Sequence, residues 1–397
     1  MSKTIIVGDL HIGGQQSMAK LSIGDNINSR VQDQLKLLNF IHNTAINNEV
    51  DRIILTGDIF HDPKPDNYLV LLFIDWLKQC HQYNIEVHIV AGNHDFRRQG
   101  NRFISILDLI SWVELPDVSI HNNINTIHTD GASYTFLPFR DRRTLDLDSL
   151  SKAIDDFNCK LIYEVLEIPI ENSKILVGHM ALEGSIYSNE IDELSNEIMC
   201  PLDMFEKYDY VWMGHVHKPQ VLCKKPHIAH IGSMDISDSS EVNHKKIIIL
   251  FDPKSDNKFT EIELPTRKVF RIKLEIPKEE NPTSYLINYI NEKNNSNSFN
   301  DSLVKIEVKI LDPESIQLDR DLVKSHLEKL GVYNVYSFIE TRASALISLE
   351  KKQEIESKLD IKSSLQFYSD NLEFNSDQEK EDFIKLAIDI IDEVGIN

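Results

Sequence analysis

The sequence predicts an α/β protein: a large α/β domain over residues 1–265, a small α+β unit over 266–341 and a helical tail over 342–397. Three features carry that reading. Through the first part, short apolar runs alternate with longer stretches of helical spacing, the pattern of strands and crossover helices. Near Pro265 the order becomes strand, helix, strand, helix, strand. From 342 the chain is charged and helical in its spacing.

"KTIIVGD" is a strand, and residues 28–49 form a helix with Val31, Leu35, Leu38 and Ile41 to Ile46 at helical spacing. "RIILTGD" is a second strand, and 66–82 a second helix with Asp66 as its N-cap. "IEVHIVAGN" is a third strand. "SKILVGHM" and "DYVWMGHV" are strands that each end in Gly-His. "HIAHIGS", "KKIIILFD" and "FTEIEL" follow closely, so the domain closes with a β-rich half. In the small unit, "VFRIKLEIP", "LVKIEVKI" and "VYNVYSFIE" are strands, with helices over 282–293 and 319–330 and a polar Asn/Ser loop over 293–300. The tail carries Phe383, Leu386, Ile390 and Ile391 along one side.

Composition narrows the class. With 41% hydrophobic and 26% charged residues, the chain reads as an ordinary globular protein. No stretch approaches the ~20 apolar residues of a membrane helix, and "KTIIVGD" leaves no room for a signal peptide. Cys80, Cys159, Cys200 and Cys223 form no C-x-x-C pair, which argues against a zinc ribbon and fits a reducing, cytoplasmic setting. The net charge of −21 is carried at the two ends, −12 over residues 1–250 and −7 over 343–397. Bulk electrostatics therefore do not make this a nucleic-acid binder, and such a role requires local basic patches, bound cations or a basic partner.

The strand ends carry the chemistry. "VGDLHIGG" supplies Asp9 and His11, "TGDIFH" supplies Asp58 and His61, and "AGNHDF" supplies Asn93, His94 and Asp95. "VGHM" supplies His179, and "MGHVHKP" supplies His215 and His217. Five segments thus end in Gly followed by a candidate ligand. Residues i and i+2 of an extended chain face the same way, so Asp9/His11 and His215/His217 are each expected to reach one point. In an open α/β sheet such strand ends gather at one rim. A lone histidine is more often a core residue, and Asp9 alone is an ordinary turn residue. Five motifs with one punctuation form a metal site instead. Seven side chains (Asp9, His11, Asp58, Asn93, His179, His215 and His217) are too many for one ion and suit two ions ~3.5–4 Å apart, with Asp58 as the bridge. Mixed nitrogen and oxygen donors favour manganese, iron or zinc over magnesium or calcium. Met180 and Trp212 read as core. His42, His81, His88, His121 and His326 read as structural or exposed.

"GDLH", "GDIFH", "GNHD", "GH" and "GHVH" in this order resemble the calcineurin-like metallophosphoesterases across the first ~250 residues. His61 three residues after Asp58, together with "IGSMDISDSSEVNHKKIIIL", resembles the SbcD branch, the nuclease subunits of the SbcCD and Mre-eleven repair complexes. It is also similar to the recombination nuclease subunits of large bacteriophages. The resemblance implies a four-layer β-sandwich flanked by helices, with 266–341 as a DNA-capping domain and 342–397 as the segment that docks an SbcC-like SMC-type ATPase. It implies two divalent ions, manganese above all. Asp9, His11, Asp58 and His217 would hold one ion, and Asp58, Asn93, His179 and His215 the other. His94 would be the general acid or transition-state stabiliser, and His61 would position the phosphate or His94. Asp95 would orient a loop or a histidine from behind the ligands.

The implied function is a manganese-dependent DNA exonuclease and endonuclease acting as a homodimer in break processing, recombination and repair. Arg97, Arg98 and Arg102 form one candidate DNA-contacting cluster, and Arg140, Arg142 and Arg143 a second. Lys218, with Lys224 and Lys225, forms a third. Leu35, Leu38 and Ile41, or Leu71, Leu72 and Ile74, are candidate dimer faces. A small-substrate phosphoesterase does not need the extension after residue 265, and a non-catalytic scaffold would have lost ligands.

Overall fold

In the computed structural model, the described residues are 2–14, 16–20, 27–99, 102–141, 150–187, 198–296, 298–312 and 314–343, with Lys380, Phe383 and Lys385 beyond them. The tail expected over 342–397 falls almost wholly outside the described residues, as do Arg142 and Arg143.

The first βαβ units form as their sequence dictates. β1 (Thr4–Val7) leads to α1 (Ser29–Asn47), capped by Asn28, whose side chain accepts from the amides of Arg30 and Val31. β2 (Arg52–Leu55) leads to α2 (Asn67–Gln82), capped by Asp66, and then to β3 (Glu86–Val90). Between β3 and Ser173 the sequence marks no elements, yet the structure fills that stretch. A hairpin of β4 (Phe96–Gln99) and β5 (Arg102–Ser105) runs into α3 (Ile106–Ser111). β6 (Val118–His121), β7 (Asn125–Thr129), β8 (Ala132–Leu137) and α4 (Leu150–Leu166) follow.

Next come β9 (Ser173–His179), β10 (Ala181–Leu182), β11 (Met199–Cys200), β12 (Tyr210–Gly214), β13 (Gln220–Lys224), β14 (His227–His230), β15 (Ile247–Phe251) and β16 (Phe259–Glu263). The last elements are β17 (Val269–Ile276), α5 (Pro282–Ser296), β18 (Leu303–Ile310), α6 (Arg320–Lys329) and β19 (Asn334–Arg342). The helix α5 continues three residues into the Asn/Ser stretch expected to be loop.

The main strands form two six-stranded sheets, ordered β16-β15-β1-β2-β3-β6 and β13-β14-β12-β9-β8-β7. Both are mixed: β1, β2, β3 and β6 run parallel, as do β8, β9, β12 and β14, while β15, β16, β13 and β7 pair antiparallel at the flanks. Apolar side chains pack between the sheets, including Ile6, Ile54 and Ile249 from one and Tyr134, Val177 and Trp212 from the other. On the outer faces α1 and α2 cover the first sheet with Leu38, Ile41, Phe73 and Leu77, and α4 covers the second with Phe157 and Leu161. The result is four layers: helix, sheet, sheet, helix. Each fully buried Ile, Leu or Phe contributes about 1.5–3 kcal/mol. Trp212 and Met180 are buried core, as expected.

His88 on β3 and His121 on β6 also lie between the sheets. Nδ1 of His88 meets Nε2 of His121 at 3.0 Å, and both rings stack on Phe136. Burial holds both neutral, pushing His88 down to about 3 and His121 to about 4. A histidine lowered on folding takes up more protons unfolded, so stability falls as pH drops below about 6.5. At pH 5 this costs roughly 2 kcal/mol per histidine. We expect the fall in unfolding free energy between pH 7 and pH 5, measured by denaturant titration, to shrink markedly in a His88→Leu/His121→Leu variant. An unchanged pH dependence would contradict this reading.

The chain divides into two compact units. The first comprises Met1–Lys273, Ile287–Glu307 and Arg320–Ile339. In it Arg267 pairs with Asp33 and stacks on Tyr333, and Met18, Ile236, Val269 and Leu303 form a small core of their own. The second comprises Leu274–Leu286, Val308–Asp319 and the described residues from Glu340, with Ile276, Leu286 and Ile310 buried and Lys309 paired to Glu275.

Candidate metal centre

The ligand candidates converge from both sheets. Asp9 follows β1, Asp58 follows β2 and Asn93 follows β3 in the first sheet; His179 ends β9, and His215 and His217 follow β12 in the second. The rim is therefore shared by two stacked sheets, not by one open sheet. The expected strand alternation does not produce the convergence either. Asp9 and His11 lie beyond β1, and His215 and His217 beyond β12. His11, Asp58 and His215 take left-handed φ angles of +46°, +48° and +81°. Such strained positions are held by their surroundings and cluster at functional sites.

The clamps are visible. The carbonyl of Asp58 accepts from the amides of Leu10 and His11, and Gln34 on α1 binds the carbonyl of His11 and the amide of Gly13. The buried Asp95 carboxylate accepts from the amides of Asp58, Ile59 and Gly92 at 2.8–3.0 Å. Asp95 thus ties together the two loops that carry Asp58 and Asn93. Burial and then the Asp58 charge push Asp95 up to about 7.

Two glycines make room. Gly57 has φ +113°, and a Cβ there would stand 2.6 Å from Nδ1 of His179. A Cβ on Gly214 would stand 2.3 Å from Oδ1 of Asp9 and 2.5 Å from Oγ1 of Thr56. Gly214→Ala should therefore cost roughly 1–3 kcal/mol by overpacking. It should also lower bound metal by displacing Asp9, which paired melting and metal-content measurements would show; unchanged metal content would refute the second part.

Nε2 of His11 faces Nε2 of His217 at 2.9 Å and Oδ2 of Asp58 at 3.5 Å. Nε2 of His217 lies 3.8 Å from Oδ2 of Asp9. On the other side Nδ1–H of His179 donates to the carbonyl of Thr56 at 2.8 Å, which turns Nε2 toward Oδ1 of Asn93 at 2.8 Å and Oδ1 of Asp58 at 3.4 Å. Nδ1 of His215 reaches Oδ1 of Asn93 at 3.0 Å. Nitrogen and oxygen lone pairs thus converge around two buried carboxylates. Burial pushes Asp9 up. Burial alone would also raise Asp58, but His179 beside it draws it well below the carboxylate range. Burial alone would lower His179, but Asp58 and Asp9 hold it at about 10. Burial drives His11 down, toward the neutral imidazole a metal needs. Carboxylates this deep favour positive charge among them, and the donor set fits divalent metal. Asp9, His11 and His217 lie together, as do Asp9, Asp58 and His179, and His11 also groups with His61 and His94.

His94 and His61 stand at the open side. The rings stack with centroids 5.6 Å apart, and His94 lies edge-on to His11 at 4.9 Å. Nδ1–H of His94 donates to the backbone carbonyl of His61 at 2.6 Å, and the His94 amide donates to Oδ1 of Asp58 at 2.8 Å. Two further residues escaped sequence reasoning. Glu241 accepts from Nδ1–H of His217 at 3.0 Å and from the buried Lys246 at 2.6 Å. Glu241 lay in the polar loop before "KKIIIL", where nothing in the spacing singles out one acid among several, and Lys246 is the second lysine of that strand entry.

The basic clusters fare differently. Arg140 donates to the carbonyls of Phe139 and Asn122 and packs over Phe96, so this geometry gives its reading as a DNA contact no support. Arg97 lies on β4, where Arg98 pairs with Phe103 and Gln99 with Arg102 along the hairpin; the side chains of Arg98 and Arg102 lie outside the described residues. Lys218 follows His217 directly. Lys224 and Lys225 do not share that rim: β13 runs back antiparallel to β14, and Lys224 pairs with His227, which itself pairs with Tyr210 at the start of β12.

The profile of the calcineurin-like phosphoesterase family matches residues 2–219. The chain belongs to that family. Among relatives, the SbcD component of the SbcCD nuclease of Staphylococcus epidermidis is 24% identical over 275 residues, 67% of this chain and 70% of that protein. The corresponding SbcCD component of Escherichia coli K12 is 25% identical over 227 residues, 52% of this chain and 56% of that protein. The DNA double-strand break repair protein Mre11 of Methanopyrus kandleri is 25% identical over 218 residues, 54% of this chain and 44% of that protein. The chain thus spans about half the length of the last two. Membership makes this chain a metal-dependent phosphoesterase and accounts for the four-layer fold.

Proposed function

We propose that this phosphoesterase is a manganese-dependent DNA nuclease that hydrolyses phosphodiester bonds at a two-metal centre. One observation carries the two-metal reading. Asp58 turns its two oxygens to opposite sides, Oδ2 toward His11 and Oδ1 toward His179, the posture of a bridge. Asp9, His11, Asp58 and His217 would hold one ion, and Asp58, Asn93, His179 and His215 the other. When bound, the ions would supply Lewis-acid charge and a hydroxide nucleophile at neutral pH. The chain's own contribution is to fix the donors, aim the imidazole lone pairs inward, and hold His94 over the site. With Nδ1–H anchored, His94 is left with Nε2 to protonate a leaving oxygen or stabilise its charge. His61 positions it through a backbone carbonyl.

DNA as substrate is supported by the name of the Methanopyrus kandleri relative, a DNA double-strand break repair protein, and a partner subunit by the SbcCD names of the others; in this reading that partner is an SbcC-like ATPase. In this reading 266–341 caps the DNA and 342–397 docks the ATPase. For a homodimer, Leu38 and Ile41 are buried core, whereas Leu71 on α2 is 57% exposed with Tyr68 at 44%, so α2 is the available face. The testing experiment offers the purified chain, with Mn²⁺, labelled duplex and single-stranded DNA, p-nitrophenyl phosphate and a cyclic nucleotide in parallel. Preferential cleavage of DNA is expected. Turnover of the small esters with DNA left intact would replace this reading with a small-substrate phosphoesterase.

A further inference from the structure

His217 is held from behind unlike its neighbours in the centre. Nδ1 of His179 rests on a neutral carbonyl, and Nδ1 of His11 is buried with no hydrogen-bond partner among the described residues. Nδ1–H of His217 instead donates to Oε1 of Glu241 at 3.0 Å. Glu241 is 2% exposed. Its other oxygen accepts from Nζ of Lys246 at 2.6 Å, from the Ser237 amide at 3.1 Å and from Oγ of Ser233 at 3.5 Å. Lys246, 1% exposed, also donates to Oγ of Ser233 at 2.7 Å and to the carbonyl of His217 itself at 3.3 Å. One buried ion pair therefore grips both the ring and the backbone of a single ligand.

A buried Lys–Glu pair is weak evidence for stability, because desolvation offsets most of its attraction. Its value here lies in direction. The pair has two oxygens and three ammonium protons, and its contacts assign them so that Oε1 is left for Nδ1–H of His217. That fixes the tautomer and aims the Nε2 lone pair at the corner shared with His11, 2.9 Å away, and Asp9, 3.8 Å away. A carboxylate behind an imidazole also makes the opposite nitrogen a stronger donor, which a carbonyl does to a smaller degree.

We propose that Glu241, held by Lys246, is a positioning residue that sets metal affinity at the Asp9/His11/His217 corner and makes it the tighter of the two metal sites. This rests on the reading of those residues as ligands. The loop that carries Glu241 is itself anchored: Asp235 pairs with the buried Arg30 of α1, and Ile236 sits in the small core with Met18, Val269 and Leu303. Glu241 therefore acts from a fixed base.

The test is Mn²⁺ binding by the full-length chain, read as free Mn²⁺ by electron paramagnetic resonance. Wild type is compared with Glu241→Gln and with Glu241→Gln/Lys246→Met, in which no buried charge is left unpaired. Wild type should bind two equivalents, one tighter. In both variants one equivalent should weaken about 10–100-fold while the other is unchanged, and the double variant should melt close to wild type. Unchanged affinity for both equivalents, or equal loss at both, would overturn the proposal while leaving the two-metal reading standing. Failure of wild type to bind Mn²⁺ would overturn both.

Discussion

Replacing Asp58 by asparagine is expected to remove nearly all phosphodiester hydrolysis while leaving the fold intact. The carboxylate lies 3.4 Å from Nε2 of His179 and 3.5 Å from Nε2 of His11, so its one negative charge serves both halves of the centre. Asparagine retains an oxygen for the His94 amide but loses that charge. The backbone is held independently, since Asp95 binds the Asp58 amide and the Asp58 carbonyl accepts from Leu10 and His11. The fold rests on the layers of apolar packing and should survive. Loss of one preorganised electrostatic contact costs about 10²–10³ in rate, and a shared bridge should cost at least that. Steady-state hydrolysis of DNA and measured metal content, at saturating Mn²⁺, check it. Near-wild-type activity would show that Asp58 does not bridge.

His94→Gln should reduce turnover by about 10²–10⁴, the usual contribution of a positioned proton donor, with both metal ions retained. Nδ1–H of His94 is committed to the His61 carbonyl, and His94 groups with His11 and His61 at the open side, apart from the Asp58 and His179 group, so metal content is the readout that separates a proton donor from a ligand. His61→Ala should cost less, because the anchoring carbonyl belongs to the backbone and remains. If metal content fell together with activity in His94→Gln, His94 would belong among the ligands.

What the sequence shows best is local. The strands carrying Asp9, Asp58 and Asn93 are runs such as Ile53–Ile54–Leu55 that end in glycine, and both signals act within a few residues. Asp66 announces its helix for the same reason. The left-handed turns at His11, Asp58 and His215 were not legible, because they are imposed by distant groups such as Gln34 and Asp95. The two stacked sheets were expected only through the family resemblance, because they depend on pairings far apart in the chain, such as β12 with β9 and β14. Glu241 was hidden by the same distance: it is 24 residues from His217 and meaningful only once β14 and β15 bring its loop back under the site. Lys224 and Lys225 misled because nearness in sequence to "GHVH" was taken for nearness in space, and β13 carries them away.

The proposed chemistry stands or falls on a dinuclear centre spanned by Asp58. Anomalous scattering of Mn²⁺ in crystals of the full-length protein would locate the ions themselves. Two peaks are expected, one among Asp9, His11, Asp58 and His217 and one among Asp58, Asn93, His179 and His215, with Asp58 between them. A single peak, or two peaks neither of which touches Asp58, would contradict a bridged two-metal site.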